Sequence, residues 1–324
     1  MQPFLPPGLT WIKARPRGRS VGGIDPGYVP ADAAVGVEAY LAYRAHPVAH
    51  ALPRAQRKAA RLRIVASNLS SGASQSYDPG HGLRILQGLK PDIVLMQEFN
   101  YGDNQAATLR TMVTMNFGAS FAYYREPMGS IPNGVISRYP IMASGSWDSA
   151  TDNSGTREFA WTRIDVPGPK DLWAISVHLL TDDARRPNQA TELVNLIKAN
   201  VPTGDYLVLG GDFNTDSATE ATMQTLGMVL VTDLMKAPQP ADQAGKSGTN
   251  ASRAKPYDWV VADSDLNPLR VPVRIGAMTF PNGLVFDTRV YNPLADVAPA
   301  QQGDSAATNM QHMAVVKDFV IPTN

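Results

Sequence analysis

The sequence predicts an α/β domain of mixed strands and helices, and three observations carry that reading. From Leu62 onward, apolar runs of strand length alternate with stretches of helical period. The span Arg185 to Asn200 sets Ala190, Leu193, Val194, Leu196 and Ile197 on one face, as an amphipathic helix does. The run Tyr206 to Leu209 is apolar throughout and reads as a strand buried on both faces. Composition agrees: of 324 residues, 44% are apolar and 18% charged, enough for a core and too few charges for a disordered chain. There is no cysteine, which excludes disulfides, thiolate metal sites and a cysteine nucleophile. No apolar run reaches the ~18 residues of a membrane-crossing helix.

In chain order, residues 1–60 read as a basic N-terminal extension and 61–324 as the domain proper. Lys13, Arg15, Arg17 and Arg19 lie in a proline- and glycine-punctuated segment, and Arg54, Arg57, Lys58, Arg61 and Arg63 form a second basic cluster. A helix carrying Val35, Val37, Leu41 and Tyr43 is expected from Ala31 to Ala45. Through Arg63 ten Lys and Arg stand against Asp25, Asp32 and Glu38, although the whole chain balances 29 basic with 29 acidic residues. That asymmetry suits an arm for nucleic acid or another anionic surface. An extension packed across the domain with solvated charges is the plainer alternative. The first residues lack the charged start and apolar middle of a signal peptide, which leaves secreted, periplasmic and cytoplasmic locations all open.

Leu62 to Ser67 reads as a strand ending in Asn68, His81 to Leu89 as a short helix, and Pro91 to Met96 as a buried strand ending in Gln97-Glu98. Phe121 to Tyr124, Gly134 to Ser137, Ile141 to Trp147 and Phe159 to Val166 read as a meander, punctuated by Pro132-Asn133-Gly134 and Tyr139-Pro140. Leu172 to Val177 is a strand that delivers His178. After Tyr206–Leu209 the chain breaks at Gly210-Gly211, residues that let backbone turn and approach a ligand. Then come a short helix near Ala218 to Leu226 and a flexible polar loop from Pro238 to Lys255. A strand Tyr257 to Val261 follows, then strands Leu269 to Ile275 and, after a loop from Asn292 to Ala307, Met310 to Val320, the last including His312.

Polar residues gather at these strand ends. Asn68, Glu98, His178, Asp212, Asn214, Asp258 and His312 come from distant parts of the chain, each at or beside the end of an expected strand. An α/β enzyme builds its site this way. An unpaired carboxylate directly after a buried strand is costly, so Glu98 reads as a metal ligand. Asp212 and Asn214, two apart past a strand, suit a hard cation or a water and a phosphoryl oxygen; a turn in which they bond only local backbone is the alternative. Carboxylates without cysteine suit Mg²⁺, Mn²⁺ or Ca²⁺ better than zinc. A histidine held by an aspartate supplies a general base, and the inventory fits metal-assisted phosphoester hydrolysis.

The order Asn68, Gln97-Glu98, Asn133-Gly-Val-Ile-Ser-Arg-Tyr-Pro-Ile141, Ser176-Val-His178-Leu, Gly210-Gly-Asp212-Phe-Asn214-Thr-Asp216, Tyr257-Asp258 and a final histidine before Ala314 resembles the endonuclease/exonuclease/phosphatase family, the deoxyribonuclease I-like superfamily. The resemblance covers about residues 62 to 320. It implies a four-layer sandwich, two packed mixed sheets with helices outside, and a divalent ion at one end. By motif position it implies Glu98 as main metal ligand with Asn68 adjacent. Asp212 would orient or activate the attacking water, and Asn214 and His178 would contact the phosphate. His312, paired with Asp258, would serve acid–base or transition-state roles. Asn133 and Arg157 are weaker candidates for substrate contact. The chain departs from the pattern at Gln311, where the family usually has aspartate before the final histidine; a second metal contact or a tuned histidine is thereby in doubt.

A Mg²⁺-dependent nuclease or phosphodiesterase is the first expectation, with nucleic acid a plausible partner and a monomer expected. A phosphatase or sphingomyelinase-like enzyme acting on a small or lipid phosphoester is the second, with which Trp147 and Trp259, read as exposed, are compatible. A non-catalytic binding protein on the same fold is the third, suggested only by Gln311.

Overall fold

In the computed structural model the described residues are 11–13, 28–30, 59–71, 80–152 and 154–323. The helix expected over 31–45, and Arg15, Arg17, Arg19, Arg54, Arg57 and Lys58, lie outside them. The chain divides into two units, Met1–Arg54 and Ala55–Asn324. In the first, β1 (Trp11–Lys13) and β2 (Tyr28–Pro30) pair antiparallel.

The second unit opens with β3 (Ala59–Asn68), α1 (His81–Leu89), β4 (Ile93–Gln97) and α2 (Ala106–Phe117). The meander follows as β5 (Ala122–Arg125), β6 (Gly134–Ser137), β7 (Ile141–Trp147) and β8 (Phe159–Ile164). Next come β9 (Leu172–His178), α3 (Arg186–Asn200), β10 (Tyr206–Asp212), α4 (Ala221–Leu226) and β11 (Asp258–Ala262). The strand expected from Leu269 is divided. A 3₁₀ turn Asn267–Leu269 leads into β12 (Arg270–Val271), and Pro272, with no N–H to give a ladder, separates it from β13 (Val273–Ile275). β14 (Met278–Phe280), β15 (Leu284–Phe286) and β16 (Ala314–Pro322) complete the unit.

Two mixed sheets result. One runs β11-β10-β9-β8-β7; the other runs β12-β16-β3-β4-β6-β5, with β15 also on β16. Side chains alternate across each strand, so one strand feeds two apolar layers. Along β3, Leu62, Ile64 and Ala66 face the other sheet, where they meet Ala174, Val208 and Val260. Val65 faces outward with Val94, under Leu83 and Leu86 of α1 and Met112 of α2. Along β10, Val208 points to the space between the sheets, and Leu207 and Leu209 point outward under Leu193, Val194 and Ile197 of α3. Helix, sheet, sheet, helix is the four-layer sandwich the motifs imply.

Gly210 and Gly211 belong to β10 itself and serve the packing of the sheets, not a ligand. A Cβ on Gly210 would lie 2.6 Å from Leu95 Cδ1 of the facing sheet, and one on Gly211, at φ 137°, would fall on the Val177 carbonyl oxygen. Nearby, Gln97 Nε2 donates across the sandwich to Ser176 Oγ at 2.8 Å, and that hydroxyl donates to the Met96 carbonyl. Trp259 is buried, stacked on Phe213, its indole N–H donating to Thr215 Oγ1 and the Pro256 carbonyl. Trp147 is half-buried against Trp161. Neither is the open aromatic surface expected.

Candidate active site

Strand register assembles the site. β9 and β10 run parallel and β10 and β11 antiparallel, which places His178, Asp212 and Asp258 in one row across the five-stranded sheet. In the facing sheet Asn68 pairs with Gln97, and Glu98 leaves β4 in the left-handed region at φ 54°. His312 is not inside the closing strand as expected. The Met313 N–H is taken by the Thr249 carbonyl, so the strand begins at Ala314, and His312 forms an isolated bridge with Asn250.

Asp212 is the hub. Its Oδ2 accepts from Asn68 Nδ2 at 3.1 Å and lies 3.2 Å from His178 Nε2 and 3.5 Å from His312 Nε2; its Oδ1 accepts the Asn214 N–H at 2.9 Å. Asn68 Nδ2 also donates to Glu98 Oε1 at 3.2 Å, so one amide bridges carboxylates from both sheets. The Asn68 oxygen accepts from the Ser70 N–H at 2.8 Å. His312 Nδ1 is 2.9 Å from Asp258 Oδ2. Asn214, at φ 52°, donates from its amide to the Leu179 carbonyl.

The two histidines differ in charge. Burial pushes His178 down to about 3, against the pull of Asp212, so it is neutral at pH 7. Burial acts the same way on His312, but Asp258 and Asp212 outweigh it and raise it to about 9, so it is an imidazolium.

Of these side chains, Glu98, His178, Asp212, Asn214 and His312 wall a cleft of about 470 Å³. Thr181, Asn250, Ala251 and Tyr257 line it with them, and so does Gln311, whose N–H donates to Ser70 Oγ. Tyr257 was legible beside Asp258; Thr181 and Asn250 carry no signal in sequence beyond lying near a strand end and in a polar loop. That loop is pinned, not loose. Asp258 donates its N–H to Thr249 Oγ1, and Arg253 ties the loop's stem to Asp242 and Asp287.

Two candidates lie behind the cleft instead of on its wall. Asn133 is fully buried, its amide donating to the Glu158 carbonyl at 2.6 Å and its N–H to Glu126 Oε2 at 3.0 Å. Arg157 donates to the carbonyls of His178 at 2.6 Å and Leu179 at 3.2 Å. Burial lowers its pKa against the field of Asp152, Asp212 and Glu98. Arg157 faces the backbone that carries His178 and Asn133 the backbone of Glu158, and neither is among the described residues lining the cavity.

The donor set fits a hard divalent cation. Glu98 and Asp212 bring carboxylates from the two sheets onto one Asn68 amide, and Asp258, whose Oδ1 is buried without a hydrogen-bond partner, lies within 4.8 Å of Asp212; His312 completes that cluster but, as an imidazolium, offers no lone pair to an ion. Oxygen-rich, thiolate-free donors of this kind suit Mg²⁺, Mn²⁺ or Ca²⁺.

Known proteins place the chain. A stretch is 33% identical over 100 residues to the uncharacterized protein YbhP of Escherichia coli (strain K12), covering 30% of this chain and 39% of that protein. Another is 25% identical over 154 residues to phospholipase C of Staphylococcus aureus, covering 40% of this chain and 46% of that protein. The match thus spans less than half of either curated relative. The crystal structure of an endonuclease/exonuclease/phosphatase from Beutenbergia cavernae DSM 12333 shares the fold at 15% identity and a TM-score of 0.53, covering 82% of this chain and 72% of that one. The model of the Endonuclease/Exonuclease/phosphatase family matches residues 48–279, well over half of the chain. The chain therefore belongs to the endonuclease/exonuclease/phosphatase family, whose members are hydrolases acting on phosphoesters.

Proposed function

We infer that this protein is a divalent-metal-dependent phosphodiesterase acting on a small or lipid-type phosphodiester. The observation that carries this is Asp212 Oδ2, on which an amide, a neutral histidine and a protonated histidine converge at the floor of one cleft. A carboxylate so held has the position to align an attacking water. His312, kept protonated by Asp258, offers its Nε2–H to a phosphoryl or leaving oxygen, where charge develops. Neutral His178 and the remaining amide hydrogen of Asn214 contribute uncharged contacts that hold the phosphate. Glu98 and Asp212 would hold a Mg²⁺, Mn²⁺ or Ca²⁺ ion, with Asn68 fixing the spacing between them. When bound, the ion supplies a Lewis acid that draws charge from a phosphoryl oxygen.

A nuclease is the first expectation from sequence, and the cleft argues against it. Among the described residues, none of the ten that line it is lysine or arginine, and tracking a polynucleotide backbone takes a cationic groove. The neighbouring Lys255 is paired with Asp216 at 2.7 Å. Similarity to a phospholipase C supports the smaller or lipid substrate.

The test is hydrolysis of bis-p-nitrophenyl phosphate, phosphatidylcholine and sphingomyelin vesicles, plasmid DNA and single-stranded DNA with Mg²⁺, Mn²⁺ or Ca²⁺. Asp212→Ala should lose about 10³-fold in kcat/KM. Turnover of the small ester or lipid with DNA left intact supports the reading. DNA cleavage lost in the mutant restores the nuclease, and no turnover of any substrate removes the enzyme reading.

A further inference from the structure

Two cavities meet at Ala251, which lines the cleft described above and also a second pocket of about 310 Å³. Charged side chains of the pinned loop and of the β15 end line that pocket: Asp242, Lys246, Arg253, Asp287 and Arg289. Both carboxylates are committed. Asp242, 5% exposed, accepts from Arg253 Nη2 at 2.7 Å. Asp287, 2% exposed, accepts from Arg253 Nη1 at 2.5 Å and from Arg289 Nε and Nη2 at 2.8 and 2.7 Å.

Three cations against two carboxylates leave a surplus positive charge. It resides with Lys246, which is exposed and pairs with no carboxylate among the described residues. The buried Arg253 pairs contribute little net stability, since desolvation offsets most of their attraction. Their effect is positional: they hold the cationic wall beside Ala251. The chemistry of the two cavities is therefore complementary. The cleft holds the acids and imidazoles that process a phosphate and has no lysine or arginine. The pocket next to it has cations and no free acid.

We propose that the second pocket is a subsite for a second anionic group of the substrate, a phosphate carried a short way from the scissile diester and read by Lys246 and Arg289. This rests on the phosphodiesterase reading above. The subsite would let a cleft without lysine or arginine still select a doubly anionic substrate, through contacts remote from the reacting atoms.

The test compares thymidine 5′-(p-nitrophenyl phosphate) with the same ester bearing a 3′-phosphate, on the wild type, Lys246→Ala and Lys246→Arg. The wild type should show a KM about tenfold lower for the phosphorylated ester, the worth of one charge-assisted hydrogen bond. Lys246→Ala should abolish that preference with kcat on the plain ester unchanged, and Lys246→Arg should restore it. No preference in the wild type, or an equal loss on both esters, overturns the proposal. Should the wild type turn over neither ester, nucleotide esters are not its substrates, and the phosphodiesterase reading fails only if bis-p-nitrophenyl phosphate and the lipids are left intact as well. Calorimetric titration with inorganic pyrophosphate then decides the pocket alone. Binding weakened about tenfold in Lys246→Ala upholds it; no binding, or binding indifferent to Lys246, overturns it.

Discussion

Asp212, 1% exposed, gathers three nitrogens around one oxygen, and its neighbours take their protonation from that arrangement. His178 and His312 lie at similar distances from the same carboxylate. His312 has a second acid, Asp258, at 2.9 Å, whereas the second acid beside His178, Glu98, is 4.0 Å from its Nδ1, and that difference decides which imidazole is charged. The same logic applies behind the site at Glu126, fully buried and accepting the N–H groups of Asn133 and Glu158. Burial raises its pKa from 4.5 to about 8. The folded chain then binds more protons than the unfolded one between those values, so stability falls as pH rises through that window, by about 1.4 kcal/mol per unit. Glu126→Gln keeps an acceptor for both N–H groups and removes the proton. In urea titrations at pH 5 and pH 8 the wild type should lose roughly 3 kcal/mol more than the mutant; parallel losses would mean that Glu126 ionises freely. At this scale sequence pointed to Glu98 through the cost of a lone carboxylate after a buried strand, and to Asp212 through its spacing of two from Asn214. Asn133 and Arg157 were misplaced because sequence puts them beside strand ends without showing which way they turn. They turn toward backbone carbonyls.

Elements were legible where their pattern is strong. β6, β7 and α1 fall at the expected bounds, and α3 begins one residue late at Arg186. α2 went unread because only Leu109, Met112 and Val113 are buried on it, among threonines and asparagine that favour no helix. The short β14 and β15 are specified by the partners they meet, which local sequence does not announce. The Gly210-Gly211 pair was recognised for its flexibility, but its requirement is close sheet packing. That distinction is testable. Gly211→Ala would place a methyl on the Val177 carbonyl at a φ of 137° that alanine rarely adopts. It should destabilise by about 3 kcal/mol, through strain and overpacking together. Asp212 follows directly in β10, so activity should fall as well. Denaturant melts of Gly211→Ala and Gly204→Ala, the latter with open space at its Cβ, supply the comparison; similar midpoints would show that β10 yields without cost.

At the scale of the whole molecule, the site exists because two sheets end together, and that needs the closing strand. The family match stops at residue 279, yet β16 lies in the middle of the seven-stranded sheet between β3 and β12, and His312 precedes it by two residues. The resemblance read from sequence reached this region through the final histidine, where pairing is fixed by register with β3. The other end of the chain differs. Among the described residues, the three apolar clusters and both large sheets draw on positions from Ala59 onward. Ala55–Asn324 forms a compact unit with its own apolar layers, as an independently folding domain does. A chain comprising Ala55–Asn324 alone should therefore melt cooperatively within about 3 °C of the full protein and hydrolyse bis-p-nitrophenyl phosphate with the same kcat. Any contribution of the basic N-terminal residues should appear only as a KM change on vesicles or nucleic acid that weakens with salt. Loss of the cooperative transition in the shorter chain would instead make those residues part of the fold.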